Sequence, residues 1–202
     1  IKGRYRREAL IGIGIVGPMT CGFFFCFVYF NSYLVTGLGL ASQEALQITS
    51  IGLLLSLITT LISGRIADRI GYKPVLQRTA LLMLIVSAPL TVMTSGAFGM
   101  LPTLVAYFSL SILLGAYCST AFASVTALFP TPIRYSGISI TVNLASPIFG
   151  STAPLLAAAL NEYLGGPLGF QWFAGYFLVL WIMAWLAVHR TDSNAFKGWG
   201  HL

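Results

Sequence analysis

Residues 63–78 read SGRIADRIGYKPVLQR and hold four cations, Arg65, Arg69, Lys73 and Arg78, together with one acid, Asp68. Only 8% of the 202 residues are charged, so the meaning of this cluster depends on what flanks it. On one side, residues 45–64 carry no Asp, Glu, Lys or Arg; on the other, residues 79–133 carry none either. A helix crossing a bilayer needs roughly 20 predominantly apolar residues, and both flanks are at least that long. The charged stretch therefore reads as a short turn between two membrane spans.

Working outward, residues 9–43, 135–161 and 163–189 are also free of Asp, Glu, Lys and Arg. The run from Thr79 is too long for one crossing of a hydrocarbon core about 30 Å thick, and TSGAFGMLPT (residues 94–103) places turn residues at its middle. Six helices follow, at about residues 10–36, 45–64, 75–95, 103–129, 137–161 and 171–189. A chain that is 57% hydrophobic with a mean hydropathy of +0.86 lies far from soluble composition, in which about a quarter of residues are charged. The fold class expected is an all-α membrane protein. Residues 1–9 form a basic cytoplasmic linker, 10–190 the six-helix transmembrane bundle and 191–202 a cytoplasmic tail. The first apolar run exceeds the roughly 7 to 15 residues of a signal-peptide core. The start, IKGRYRR, has no initiator Met, and the chain is expected to be a piece of something longer.

The net charge of +6 reports topology rather than nucleic acid. Lys2, Arg4, Arg6 and Arg7 precede the first helix, and Arg65, Arg69, Lys73 and Arg78 lie between the second and third. Arg134 lies between the fourth and fifth, and Arg190 and Lys197 follow the sixth. All eleven cations thus fall at one end, and the positive-inside rule places that end and both termini in the cytoplasm. Cys21, Cys26 and Cys118 sit within predicted helices and read as small buried hydrophobes. His189 and His201 are terminal and far apart, so neither a metal nor a cofactor is expected.

Within the charged turn, Gly64 can end the second helix or admit a close neighbour, Gly71 supplies a flexible turn position and Pro74 suits the first turn of the third helix. Asp68 is not required by the positive-inside rule, which counts Lys and Arg. Its expected use is to accept hydrogen bonds from a helix N-terminus or from an Arg across the turn.

The spacing G-x-x-x-D-R-x-G-Y-K from Gly64 to Lys73 resembles the signature between the second and third helices of each six-helix half of the major facilitator superfamily. FPTPIRYSGIS (residues 129–139) is similar to the loop before the eleventh helix in its metabolite:proton symporter branch. FVYFNSYL (residues 27–34) is similar to the seventh helix of proline/betaine-type members. The resemblance implies the C-terminal six-helix half of such a transporter, with the N-terminal half missing from this chain. It implies a secondary active transporter of the bacterial cytoplasmic membrane, whose partners are a small solute, a proton and the lipid bilayer. A proline- or betaine-like osmolyte is the first expectation; di- and tricarboxylates, or an inactive half-transporter, are the alternatives. Tyr72 departs from the pattern, standing where a cation is common.

The resemblance further implies gating by the loop motif: Gly64, Asp68, Arg69, Gly71 and Lys73, with Asp68 capping the fifth helix near Ser136 and Gly137 or pairing with Arg134 in the outward-open state. It also places the first, second, fourth and fifth helices around the cavity. The fifth carries Ser136, Ser139, Asn143, Ser146 and Gly150 at helical spacing, a stripe suited either to packing or to a polar cavity wall. Asn143 is singled out for the cavity, since its amide needs partners inside the membrane. Tyr29, Asn31 and Tyr33 in the first helix, and Tyr117 in the fourth, complete the candidate solute-binding set. Aromatic faces there would attract a quaternary ammonium group. Pro147 and Pro154 bracket Gly150 and mark the fifth helix as the one to bend.

No ionisable residue lies near a predicted midplane, so the proton carrier is expected in the other half. An intramembrane enzyme is disfavoured, because no buried Ser–His pair or acidic pair is present.

Overall fold

The computed structural model describes residues 5–191; Lys2, Arg4, Lys197 and His201, and with them the ends of the basic linker and of the tail, lie outside the described residues. Among the described residues six helices are long and apolar enough to cross a membrane: α1 (Arg6–Thr36), α2 (Ser42–Ile70), α3 (Tyr72–Met93), α4 (Met100–Leu128), α5 (Thr131–Leu164) and α6 (Pro167–His189). Helices satisfy their own backbone hydrogen bonds, which is what an apolar span in lipid demands. Successive helices run in opposite directions through short connections, so the described cations gather at one end of the bundle.

α1 is the centre of the bundle. Its most apolar window is 61% buried against 17% for α2, and it packs on α4, α5 and α6. The sequence GIGIVGPMTCG explains why α1 can be enclosed. A Cβ on Gly12 would come within 2.7 Å of Thr141, one on Gly14 within 2.8 Å of Ala187 and one on Gly17 within 2.7 Å of Phe149. Helices in lipid gain little from hydrophobic burial against one another, so close backbone approach through small residues sets the packing. α3 fills the space between α4 and α6, and α2 lies along α4.

Two helices contain a π turn, at Phe25–Tyr29 in α1 and at Ser146–Ser151 in α5. The second takes in Pro147 and Gly150 of the stretch that Pro147 and Pro154 bracket, while Pro154 itself lies beyond it in regular helix. Pro147 has no N–H for the Asn143 carbonyl four residues before it, and the wider turn accommodates the break.

One expectation about the charged stretch is corrected. Helix α2 does not end near Gly64 but continues to Ile70, so most of the motif is helical and the turn is the single residue Gly71, at φ 96° and ψ 150°. Nothing in RIADRI breaks a helix, and charge alone does not unwind one that projects beyond the hydrocarbon. Only glycine is at ease at such a φ and ψ. Gly64 lies inside the helix, and a Cβ there would meet nothing within 4 Å. Pro74 stands in the first turn of α3, as expected.

Candidate solute groove and the charged turn

At mid-depth, α1, α2 and α4 enclose a groove of about 440 Å³. From α1 come Met19, Thr20, Phe23 and Phe24; from α2, Ser56 and Thr60 with two leucines; from α4, Cys118 and Phe122. The groove exists because α2 and α4 touch closely just beneath it. A Cβ on Gly115 would sit 2.3 Å from the Ser56 carbonyl oxygen and 2.5 Å from Thr59 Oγ1. Thr60 Oγ1 donates toward the carbonyls of Ser56 at 2.8 Å and Gly115 at 2.9 Å, tying the two helices together. Thr20 Oγ1 likewise donates to Gly17 O at 2.9 Å and Val16 O at 3.2 Å.

These bonds fix what the groove can offer a ligand. With their protons committed to backbone carbonyls, Thr20 and Thr60 present lone pairs. Phe23, Phe24 and Phe122 present ring faces, which carry the negative side of the aromatic quadrupole. The wall is apolar yet electron-rich, and no described Lys, Arg or His lines it. Phe24 also reaches α5, where its ring would lie 3.0 Å from a Cβ on Gly150 in the π turn. The groove and the break in α5 are thus joined through one side chain.

The residues singled out from sequence lie elsewhere. Tyr29 and Tyr33 are stacked, ring centroids 6.0 Å apart, and Tyr33 packs on Phe170 of α6 at 4.7 Å. Tyr33 donates to the Ser95 carbonyl at 2.7 Å, while the buried Tyr29 hydroxyl has no hydrogen-bond partner. Asn31 Nδ2 donates to Thr49 Oγ1 at 2.9 Å, linking α1 to α2. Tyr117 is fully enclosed, donates to the Ile15 carbonyl at 3.0 Å and meets Trp181 edge-on. Asn143 is exposed, as are Ser136 and Ser139, on a face of α5 that no other described helix covers; Gly150, the last residue of that stripe, is buried.

Sequence reading missed Thr20, Phe23 and Phe24, together with Ser56, Thr60, Cys118 and Phe122. Two signals were available: Thr20, Phe23 and Phe24 stand at i, i+3 and i+4, and Ser56 and Thr60 at i and i+4, each set on one helix face. Cys118 is half-buried in the groove, unlike the buried Cys21 and Cys26.

At the basic end, Asp68 is exposed and accepts a 2.6 Å hydrogen bond from the Tyr72 hydroxyl across Gly71. Helix α2 and the first half of α5 are not neighbours, so in this conformation Asp68 neither caps α5 near Ser136 and Gly137 nor pairs with Arg134. Arg134 Nε instead donates to the Phe129 carbonyl at 3.2 Å. Lys73 Nζ donates to the Thr191 carbonyl at 2.5 Å, fastening the turn to the end of α6. Arg65 and Arg69 stand one helical turn apart on the exposed flank of α2. Tyr72, the departure from the usual pattern, is thus the partner of the motif's acid.

Comparison with known proteins agrees with this architecture. The ectoine/proline transporter ProP of Corynebacterium glutamicum is 33% identical over 161 residues, covering 79% of this chain and 31% of that protein. A citrate-proton symporter of Klebsiella pneumoniae is 24% identical over 188 residues, 93% of this chain and 42% of its own length. A putative proline/betaine transporter of Staphylococcus aureus is 30% identical over 145 residues, 68% of this chain and 30% of its own. The chain spans less than half the length of each of these relatives. A family model, the Major Facilitator Superfamily, matches residues 8–201, and with six spans in the order described the chain belongs to that superfamily as an integral membrane protein carrying one six-helix half of its fold.

Proposed function

We propose that the chain is the C-terminal six-helix half of a proton-coupled symporter for a small osmolyte of the proline or betaine kind, acting in a bacterial cytoplasmic membrane with both termini in the cytoplasm. The observation that carries this reading is the chemistry of the groove. Lone pairs and ring faces without a cation suit a quaternary or secondary ammonium head, whereas a tricarboxylate would meet no positive partner there. Two relatives named for proline, ectoine or betaine support it, and the citrate-proton symporters keep an organic acid as the second reading.

The described acids, Glu8, Glu44, Asp68 and Glu162, all lie near helix ends, and Asp192 lies outside the described residues, so the proton carrier belongs in the other half. Alternating access by rocking of the two halves would bring further groups to the solute. Asn143, on the uncovered face of α5, is proposed as a direct contact; Tyr29, Asn31, Tyr33 and Tyr117 would serve it through the packing of α1 and α4. Gly64, Asp68, Arg69, Gly71, Lys73 and Arg134 are proposed as the gate, with the Asp68–Tyr72 bond exchanged for contacts to α5 as the halves move.

The test is uptake by cells expressing the gene at full length and lacking their own carriers, with labelled betaine, proline and citrate. Betaine or proline uptake that collapses with an uncoupler is expected. Phe23→Leu, which keeps the apolar bulk and removes the ring, should raise the half-saturating betaine concentration by roughly tenfold, equivalent to about 1.4 kcal/mol of cation–π attraction. Uptake of citrate alone, insensitive to Phe23→Leu, would replace this reading with the organic-acid one.

A further inference from the structure

A second groove, of about 720 Å³, lies at the basic end between the start of α1 and the end of α6. Three guanidinium groups stand at it, Arg6 and Arg7 on α1 and Arg190 at the C-terminal cap of α6. Beneath them the walls are apolar, with Leu10 and Ile11 facing Ile182 and Leu186. We propose that this groove holds one anionic phospholipid, its phosphate on the three arginines and an acyl chain along the apolar walls.

The geometry suits such a ligand on three counts. From Arg6 to Gly14, the deepest α1 residue of the lining, the helix rises about 12 Å, enough for the first eight to ten carbons of an acyl chain. Leu10 is 61% exposed and Ile182 39%, a cost in water but a fitting surface for hydrocarbon. Charge then selects among lipids. Among the described residues no carboxylate pairs with Arg6, Arg7 or Arg190, and Glu8 does not line the groove; Asp192, two residues after Arg190, lies outside the described residues. Three cations within one opening, without a carboxylate partner among the described residues, favour a net negative head over a zwitterionic one, in which the choline or ethanolamine cation opposes them. The two helices meet within the lining itself, where a Cβ on Gly14 would come within 2.8 Å of Ala187, so the groove has a floor of close helix contact. The proposal needs only that the chain spans a bilayer, and it is independent of which solute is carried.

The experiment titrates the protein, expressed from its full-length gene and stripped of lipid in detergent, with phosphatidylglycerol, with phosphatidylcholine of the same acyl chains, and with inorganic phosphate, reading bound lipid by native mass spectrometry. Phosphatidylglycerol should bind about tenfold more tightly than phosphatidylcholine. The triple variant Arg6→Gln, Arg7→Gln, Arg190→Gln should bring that ratio close to one. Ile182→Trp, which fills the apolar floor and leaves the charges, should weaken both lipids alike. Equal binding of the two lipids by the unsubstituted protein, or a preference kept by the triple variant, overturns the proposal. So does displacement of the lipid by millimolar inorganic phosphate, which would make the opening a site for a free anion, and so does failure of Ile182→Trp to affect lipid, which would leave the groove to a protein segment.

Discussion

Gly64 and Gly71 belong to one motif, yet the backbone asks opposite things of them. Gly71 turns the chain by itself, at φ 96° and ψ 150°, and any side chain there is strained. Gly71→Ala should destabilise the protein by about 1–3 kcal/mol, read as a lowered melting temperature of the purified full-length protein. Gly64 sits in an ordinary helical turn facing open space, so Gly64→Ala should be neutral or stabilising by roughly 0.5–1 kcal/mol through helix propensity alone. A clear loss of stability at Gly64→Ala would mean that this open face is covered in the intact protein, and that close approach of another helix is why glycine stands there. Tyr72 falls between the two. Its bond to Asp68 is short but exposed, so Tyr72→Phe should cost no more than about 1 kcal/mol. A larger effect on uptake than on stability would tie that bond to gating.

The crossing of α2 and α4 shows how an element sets the shape of the groove. Gly115 lets the Ser56 carbonyl approach its backbone, and Thr60 donates across the same point. Gly115→Ala forces α2 outward, because the obstacle is backbone rather than a flexible side-chain end. We expect a stability loss of about 1–3 kcal/mol, measured by thermal unfolding, together with faster maleimide labelling of Cys118 as the groove widens. Unchanged labelling would show that the helices slide rather than part. The same elements explain what could be read from sequence. The number of helices and the ends that carry charge were legible, since a charge-free run of membrane length has few other fates. The facing of α1 was not. A π turn at Phe25–Tyr29 adds a residue to one turn and rotates all that follows, so Tyr29 and Tyr33, spaced as a cavity face would be, pack instead on Phe170. Tyr117 was read by depth, and depth does not say which way a side chain points. The charged stretch reads as a loop from sequence because its glycines and charges mask the helix propensity of RIADRI.

The bundle as a whole separates two kinds of exposed surface, and its orientation follows from both. Large apolar side chains such as Leu54, Leu57 and Leu61 on α2 and Leu155 on α5 are exposed in the chain by itself, while the described cations sit at one end. Water would penalise the first and a bilayer core the second, so only a transmembrane placement satisfies both. The sign of that placement comes from the positive-inside rule, and α5 offers a direct check because its two ends carry equally open tyrosines. Tyr135, beside Arg134 at the basic end, is 89% exposed, and Tyr163 at the other end is 85% exposed. In intact cells a membrane-impermeant maleimide should label Tyr163→Cys and not Tyr135→Cys, with Tyr135→Cys reacting once the membrane is permeabilised. The three cysteines of this chain do not confuse the result, since Cys21 and Cys26 are buried and Cys118 is half-buried between α1, α2 and α4, away from the helix ends. The reverse pattern would put the basic end outside, and with it the arginine groove would face the outer leaflet and the gate the wrong compartment. Labelling of both positions in intact cells would mean that α5 does not span, an outcome its 34 residues, with an 18-residue stretch of mean hydropathy 1.3, argue against.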